Sequence, residues 1–537
     1  MRSATSSRLL TAGVLLIAAG LRFYHLGWGL PEHFFPDEAT VFRVAEQIAA
    51  SGELHTGFVW YPPLTMYVLA AVYKALALTR GQPVELLTIV DLVWWGRVVM
   101  GICSLATVVA VAALGGAVYR PAVGLLAALY LAVAPVHITQ SHIVCTDVPL
   151  TFFVVLALVV SAGGARAPGW RRTLLGGAFA GLAAAAKYPG GIVTLAPASN
   201  GLRGVFDAMR SGDGRRMARW ILLLALTGAA ALGAFTLAFP HWIQDIAPLR
   251  RILAWEKFAN RDLGNVTARL APEGLRGVPV LYQLLILFPW TLGLPLYLLA
   301  LVGLVRMAWR PSAGEMTLLA FAVPYFAFFA TARSVFPRYY LPLVPVLTLA
   351  AARVAVACGR PGTYARAAVL ALAVAAAGYS LALSLSLASH TSVRPQQALR
   401  AALERTLAEG RFDTPPTLAC RGSRAGGYLD YTALRWVLQG LPVQEVPVRF
   451  ERDWLRSRHP DFVLVSEMDE IIAFRNAPSS EEVGTLRDLA AGRLPYRMVE
   501  EIRVSYLHRD LYGSLDPYFR VAYERGEMGF RLYRFAR

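Results

Sequence analysis

The chain has 537 residues, of which 56% are hydrophobic and only 16% charged, and its mean hydropathy is +0.47. Soluble domains carry about a quarter charged residues, and here the apolar residues come in long runs, so composition argues against a large soluble protein and for a polytopic membrane protein. The formal net charge of +17 would suit nucleic-acid binding, but the arginines sit in short loops between apolar runs, as the positive-inside rule describes, and no nucleic-acid partner is expected.

The first apolar run, residues 9–21, follows Arg2 and Arg8 and lacks a small-x-small cleavage signature. It reads as a signal anchor with a cytoplasmic N-terminus, ending at the outer interface in Arg22-Phe23-Tyr24 with Arg22 snorkelling there. Residues 62–79, interrupted by Lys74, could cross the membrane or lie in the interface as an amphipathic helix. If they lie in the interface, the later runs alternate inward and outward. They cover residues 98–118, 121–135, 149–163, 173–186, 188–202, 220–240, 279–305, 315–332, 339–357 and 367–388. Every arginine-rich loop then falls on the inner side, including Arg203, Arg210, Arg215, Arg216 and Arg219. The interfacial reading therefore predicts about eleven spans, with 173–186 and 188–202 short of the roughly 20 residues a span needs.

From about residue 390 the long apolar runs stop. Residues 460–466 read as a buried strand after a turn, 396–409 and 480–492 as amphipathic helices, and 531–535 as a terminal strand. The fold class is thus an α-helical polytopic membrane protein, residues 1–389, followed by a small extracytoplasmic α/β domain, residues 390–537. Cys103, Cys145, Cys358 and Cys420 form no C-x-x-C pair and suggest neither a disulfide framework nor a zinc finger.

Under this topology the outer side gathers the unusual polar residues. Pro36-Asp37-Glu38 places two carboxylates close to a lipid surface, where charge is costly and usually functional. Asp37 could N-cap the helix that follows, or one of the pair could take a proton from an acceptor nucleophile. Tyr61-Pro62-Pro63-Leu64 fixes an extended entry to the interfacial helix. Asp147 stands before the span at 149–163, as a cap or as a second acid of the same cavity; His137 and His142 nearby are hydrogen-bonding residues or ligands. Lys187, in Ala186-Lys187-Tyr188-Pro189-Gly190-Gly191, is a snorkelling lysine or an ammonium for a lipid phosphate, the glycines permitting close approach. Arg338, beside Tyr339 and Tyr340, suits bidentate phosphate binding or an interfacial anchor.

These five stretches, in this order, resemble the GT-C superfamily of integral-membrane glycosyltransferases. They are most similar to the branch related to protein O-mannosyltransferases and the aminoarabinose transferase of lipid A (glycosyltransferase family 39-like). The resemblance covers about residues 9–360. It rests on Pro36-Asp37-Glu38, Tyr61-Pro62-Pro63-Leu64, Thr146-Asp147-Val148-Pro149-Leu150, Lys187-Tyr188-Pro189-Gly190 and Arg338-Tyr339-Tyr340-Leu341-Pro342.

It implies a sugar donor on a polyprenyl phosphate and an acceptor on a lipid, glycan or protein. The site would face outward on a bacterial cytoplasmic membrane. Asp37, with Glu38 as neighbour and Asp147 as second acid, would activate the acceptor for inverting attack. Lys187, Tyr188, Arg338 and Tyr339 would hold the lipid phosphate, and Tyr61, His142 and His241 would line the substrate cavity. The aminoarabinose transferases carry Glu-Lys before Pro-Pro-Leu where this chain has Trp60-Tyr61, so a phosphate contact and a metal ligand are missing. A divalent metal stays open, with His241 as a candidate ligand. Rival readings are a transporter or flippase of lipid-linked sugars, although no clear internal repeat is present, and a non-catalytic relative.

Overall fold

The computed structural model describes residues 2–28, 30, 36–166, 169–251, 278–332, 336–357, 364–389, 394–410, 412–420, 437–448, 450–466, 480–502 and 530–536. Two compact units divide the chain. One is drawn from Met1–Leu26, Asp37–Phe258 and Val280–Ala388, the other from Gly27–Pro36, Ala259–Pro279 and Ser389–Arg537.

The first unit is helical. Its order is α1 (Arg2–Phe23), α2 (Pro36–Ser51), α3 (Leu64–Arg80), α4 (Ile89–Val118), α5 (Pro121–Ala132), α6 (Pro135–Ser141), α7 (Asp147–Arg166), α8 (Trp170–Ala186), α9 (Leu195–Arg210) and α10 (Gly214–Ala238). After a broken stretch follow α11 (Leu294–Trp309), α12 (Ala313–Ala330), α13 (Val344–Ala357) and α14 (Tyr364–Ser389). Among the described residues five helices are long and apolar enough to cross a membrane, or six if α5 and α6, bent by 61°, make one span; Leu294–Trp309 and Ala371–Ala382 are shorter apolar helices. α10 leaves Leu222, Leu232 and Leu237 exposed, Leu237 by 86%, which is costly in water and neutral against lipid tails. The chain is a multi-pass membrane protein.

The helices pack as membrane helices do, through small residues that let backbones approach. A Cβ at Gly177 would come within 2.4 Å of the Thr227 carbonyl, and one at Gly181 within 2.1 Å of that of Ala231. Both contacts join α8 to α10. Gly115 and Gly124 do the same for α4 and α5. α4 opens with a reciprocal capping box between Thr88 and Asp91, and α12 with one between Ser312 and Glu315.

Several expected spans are interrupted. Residues 188–202 do not form one helix: Tyr188–Thr194 is a 3-10 segment, and amphipathic α9 starts only at Leu195. Pro189 and the paired glycines deny that stretch a regular ladder. The run 279–305 breaks at Gly293, whose φ of +87° few other residues tolerate. The Leu292 carbonyl exposed there accepts from Ser380 Oγ at 2.6 Å.

Arg22 is a further correction. It does not snorkel to the interface but is fully buried. It donates to the Ala132 and Leu131 carbonyls at 3.0 and 3.1 Å, the end of α5, and to Ser104 Oγ at 2.7 Å. Pro135 prevents α5 from continuing into α6, and the cation satisfies the carbonyls that the break frees.

The second unit is built on a mixed sheet of order β2-β1-β3-β5-β4. Its strands are β1 (Thr417–Cys420), β2 (Gln444–Pro447), β3 (Phe462–Ser466), β4 (Tyr496–Ile502) and β5 (Phe530–Phe535). β1 runs parallel to β2 and β3, whereas β5 runs antiparallel to β3 and β4. β3 is buried along its whole length because its alternating side chains enter two cores. Phe462 and Leu464 join Leu399 and Leu403 of α15 (Arg394–Glu409). Val463 and Val465 join Leu455 of α16 (Arg452–Arg458) and Leu486 of α17 (Glu481–Ala490). Ser480 is the α17 cap, its side chain accepting from the Val483 N–H.

Candidate functional site

The two acidic motifs meet through Glu38, which a buried arginine holds. Glu38, in the first turn of α2, has no exposed surface. Arg97 of α4, equally buried, donates Nε to Oε1 at 2.9 Å and Nη2 to Oε2 at 2.8 Å. Its Nη1 donates to the Leu26 carbonyl at 2.7 Å, and the Val144 N–H donates to Glu38 Oε1 at 2.8 Å. Glu38 thus links the start of α2 to the loop that delivers Asp147 three residues later. Both carboxylate oxygens of Glu38 are thus engaged, Oε1 by Arg97 Nε and the Val144 N–H and Oε2 by Arg97 Nη2. Asp37 is the second residue of α2; its side chain lies outside the described residues.

A second cluster forms where three helix ends converge. Asp147 opens α7, and Lys187 follows the last residue of α8. Lys187 Nζ donates to both carboxylate oxygens of Asp147, at 2.8 and 2.9 Å. The ammonium stands 5.5 Å from the centre of the Tyr61 ring and 5.1 Å from that of Tyr339. Arg338, nearly buried, lies 5.8 Å from the Tyr339 ring and 4.9 Å from that of Phe336. Arg338 and Tyr339 belong to a 3-10 turn, Pro337–Leu343, tethered where Tyr325 Oη donates to the Tyr339 carbonyl at 3.1 Å. Two cations, one carboxylate and three aromatic rings therefore share one end of the bundle, a low-dielectric setting that attracts an anion.

Tyr188 continues the site toward the loops. Its hydroxyl donates to the Val59 carbonyl at 2.9 Å. Burial and the nearby Asp245 carboxylate push the phenol above its ordinary range, so it stays a donor. Asp245 accepts from or shares a proton with His55 Nε2 at 3.0 Å, and the His55 and His241 rings are 4.9 Å apart.

Asp147, Lys187, Tyr61, Tyr339 and Arg338 come together as expected from the motifs, and Tyr188 joins them through the Tyr61 loop. His142 does not line an open cavity: it is buried, with Nε2 bonded to the Leu21 carbonyl at 2.9 Å. His241 sits with His55 and Asp245. Among the described residues no group of three His, Cys, Asp or Glu side chains is placed to hold a metal ion. Gly190 turns out to serve the fold, since its Cβ would meet the Ala183 carbonyl at 2.3 Å. Sequence reasoning missed Arg97, although a lone arginine inside an apolar helix is itself a signal.

Comparison with known proteins agrees with this architecture. Residues 62–199 match the family described as dolichyl-phosphate-mannose-protein mannosyltransferase; the matched region holds Pro62-Pro63-Leu64, Asp147 and Lys187. The fold is shared with ArnT from Cupriavidus metallidurans, solved bound to undecaprenyl phosphate, at 15% identity, TM-score 0.51 and 98% coverage of each chain. It is shared also with the oligosaccharyltransferase of Archaeoglobus fulgidus in the apo form, at 13% identity and TM-score 0.51, covering 98% of this chain and 88% of that one. No curated protein sequence matches. In fold, and over residues 62–199 in sequence, the chain resembles the GT-C glycosyltransferases.

Proposed function

We propose that the chain is a polyprenyl-phosphate-sugar-dependent glycosyltransferase acting at the outer face of a bacterial cytoplasmic membrane. The observation that carries this reading is the cluster of Lys187, Arg338, Tyr61, Tyr339 and Asp147 at one end of the helical unit. An acceptor hydroxyl on a lipid, glycan or protein gives its proton to the Asp37 carboxylate as its oxygen attacks the anomeric carbon. The bond from that carbon to the phosphate oxygen breaks, with inversion, and the lipid phosphate leaves carrying the electron pair. Arg338, a permanent cation with a planar fork, and Lys187 stabilise the charge that develops there. Asp147 neutralises and aims Lys187, so net positive charge toward the phosphate comes from Arg338. Glu38 and Arg97 position both acidic motifs and exchange no proton.

The test is transfer from a radiolabelled polyprenyl-phosphate sugar to membrane acceptors. Asp37→Asn is expected to lower transfer by about 10²–10⁴-fold while the protein keeps its melting temperature. Undiminished transfer removes Asp37 as base. A flippase or transporter would instead keep moving the intact lipid-linked sugar across the bilayer in the same variant, with no glycosidic bond formed in either protein.

A further inference from the structure

The turn Pro337–Leu343, which carries Arg338 and Tyr339, is held from behind by a side chain that takes no part in the proposed transfer. Gln283, in the broken stretch before α11, has no exposed surface. Its amide nitrogen donates to the Phe329 carbonyl at 3.0 Å and lies 3.5 and 3.4 Å from those of Ala330 and Ala332, so it serves carbonyls that the end of α12 leaves open. Its Oε1 accepts from the Tyr340 hydroxyl at 2.5 Å, and Tyr340 is equally buried. We propose that Gln283 is a positioning residue: by tying Tyr340 to the end of α12 it fixes the turn so that the Arg338 fork faces the lipid phosphate. The inference deepens the transferase reading and rests on it.

The local backbone and the packing both support this role. Gln283 opens a π-helical segment, Gln283–Leu287, in which the Phe288 N–H bonds back to the Gln283 carbonyl. Pro289 supplies no N–H for the Leu285 carbonyl and crowds it, which favours the widened turn, and such turns recur at functional sites. The Tyr340 ring packs against Phe288, Phe326 and Phe329, with centroids 4.8, 5.9 and 5.8 Å away. A phenylalanine would suit that apolar setting as well, so the hydroxyl contributes direction rather than burial. Tyr325 Oη already holds the Tyr339 carbonyl. The chain is therefore pinned at two consecutive residues directly after Arg338, once through backbone and once through a side chain. Phe329 joins the two tethers: its ring meets both Tyr339 and Tyr340, and its carbonyl takes the Gln283 amide. Loss of the Gln283 bond leaves the turn able to rotate about the Tyr339 anchor and carry the guanidinium with it.

The experiment titrates the full-length protein in neutral detergent with a short-chain polyprenyl phosphate, and measures the melting temperature in parallel. Arg338→Lys is the reference and is expected to weaken binding about tenfold. Tyr340→Phe, which keeps the ring and removes only the tether, should also weaken binding, by roughly three- to tenfold. Gln283→Met should weaken it at least as much, with a larger fall in melting temperature because the α12 carbonyls lose their donor as well. Tyr340→Phe combined with Arg338→Lys should weaken binding by less than the product of the two single losses, since a fork that is absent cannot be misdirected. Tyr130→Phe, which removes a buried hydroxyl without a hydrogen-bond partner among the described residues, should bind as wild type does. Unchanged binding in Tyr340→Phe beside weakened binding in Arg338→Lys overturns the inference and leaves the phosphate reading standing. A full product of losses in the double variant does the same. Unchanged binding in Arg338→Lys overturns the phosphate reading itself, and the inference with it.

Discussion

Glu38 and Arg97 show how one ion pair can organise a site without reacting in it. Both side chains are withdrawn from solvent, where removing one partner strands the other's charge. Glu38→Gln is therefore expected to cost about 3–5 kcal/mol, seen as a lower melting temperature in detergent. Glu38→Leu combined with Arg97→Leu should recover most of that loss, since an apolar pair of similar volume replaces two desolvated charges. If the pair positions Asp37 and the Asp147 loop, the doubly substituted protein folds but turns over slowly, with kcat reduced more than the donor KM. Wild-type kcat in that protein would exclude a positioning role. Arg338 makes the complementary case. Arg338→Lys keeps the charge and loses the fork, so the donor KM should rise about tenfold with the melting temperature little changed. An unaltered KM takes Arg338 away from the phosphate.

Elements reach the site because small residues let them. The turn after Lys187 folds back on α8 at Gly190, where a Cβ would fall 2.3 Å from the Ala183 carbonyl, against backbone that cannot yield. Gly191, one residue on, would find only the Ala184 Cβ at 3.6 Å, an ordinary contact. Gly190→Ala is expected to cost about 1–3 kcal/mol and to lower transfer by displacing Lys187, whereas Gly191→Ala should match wild type in both melting and transfer. Equal behaviour of the two glycines would contradict this account. The break between α5 and α6 follows the same logic with a different device: Pro135 stops the helix, and Arg22 takes up the loose carbonyls. Arg22 read alone in the sequence suggests a lipid-facing anchor, because nothing local reveals that a helix will end over 100 residues later within its reach.

At the scale of the molecule, orientation governs function. If the N-terminus is cytoplasmic, a single cysteine introduced at position 210 should be labelled by an impermeant reagent only after the cells are opened, and one at the exposed position 451 before. Labelling of both from the same side overturns the parity of spans. Asp147 and Lys187 meet at the end of α7 where that helix begins. The C-terminal sheet carries a core on each face of β3, so that strand reads as an unbroken apolar run, Phe462 to Val465.

The sequence alone determined the solvent: long apolar runs and few charges demand a bilayer, because a residue's hydrophobicity is a local property. It also singled out Asp147, Lys187 and Arg338 as charged residues at the ends of apolar runs, whereas Tyr61 entered as part of a turn and through the resemblance its motif carries. In the C-terminal unit β3, β5, α15 and α17 were legible from periodicity and caps, whereas β1, β2, β4 and α16 were not. Only the tertiary structure decided partnership. Glu38 looks like half of a reactive carboxylate pair until Arg97, 59 residues away, is seen to occupy it. His142 looks like a ligand until the Leu21 carbonyl takes its proton donor. The expected span at 188–202, short and interrupted in sequence by Gly190-Gly191 and Pro197, divides into a 3-10 segment and α9. Composition and spacing report what a residue costs in its surroundings, whereas what offsets that cost depends on contacts that only folding creates.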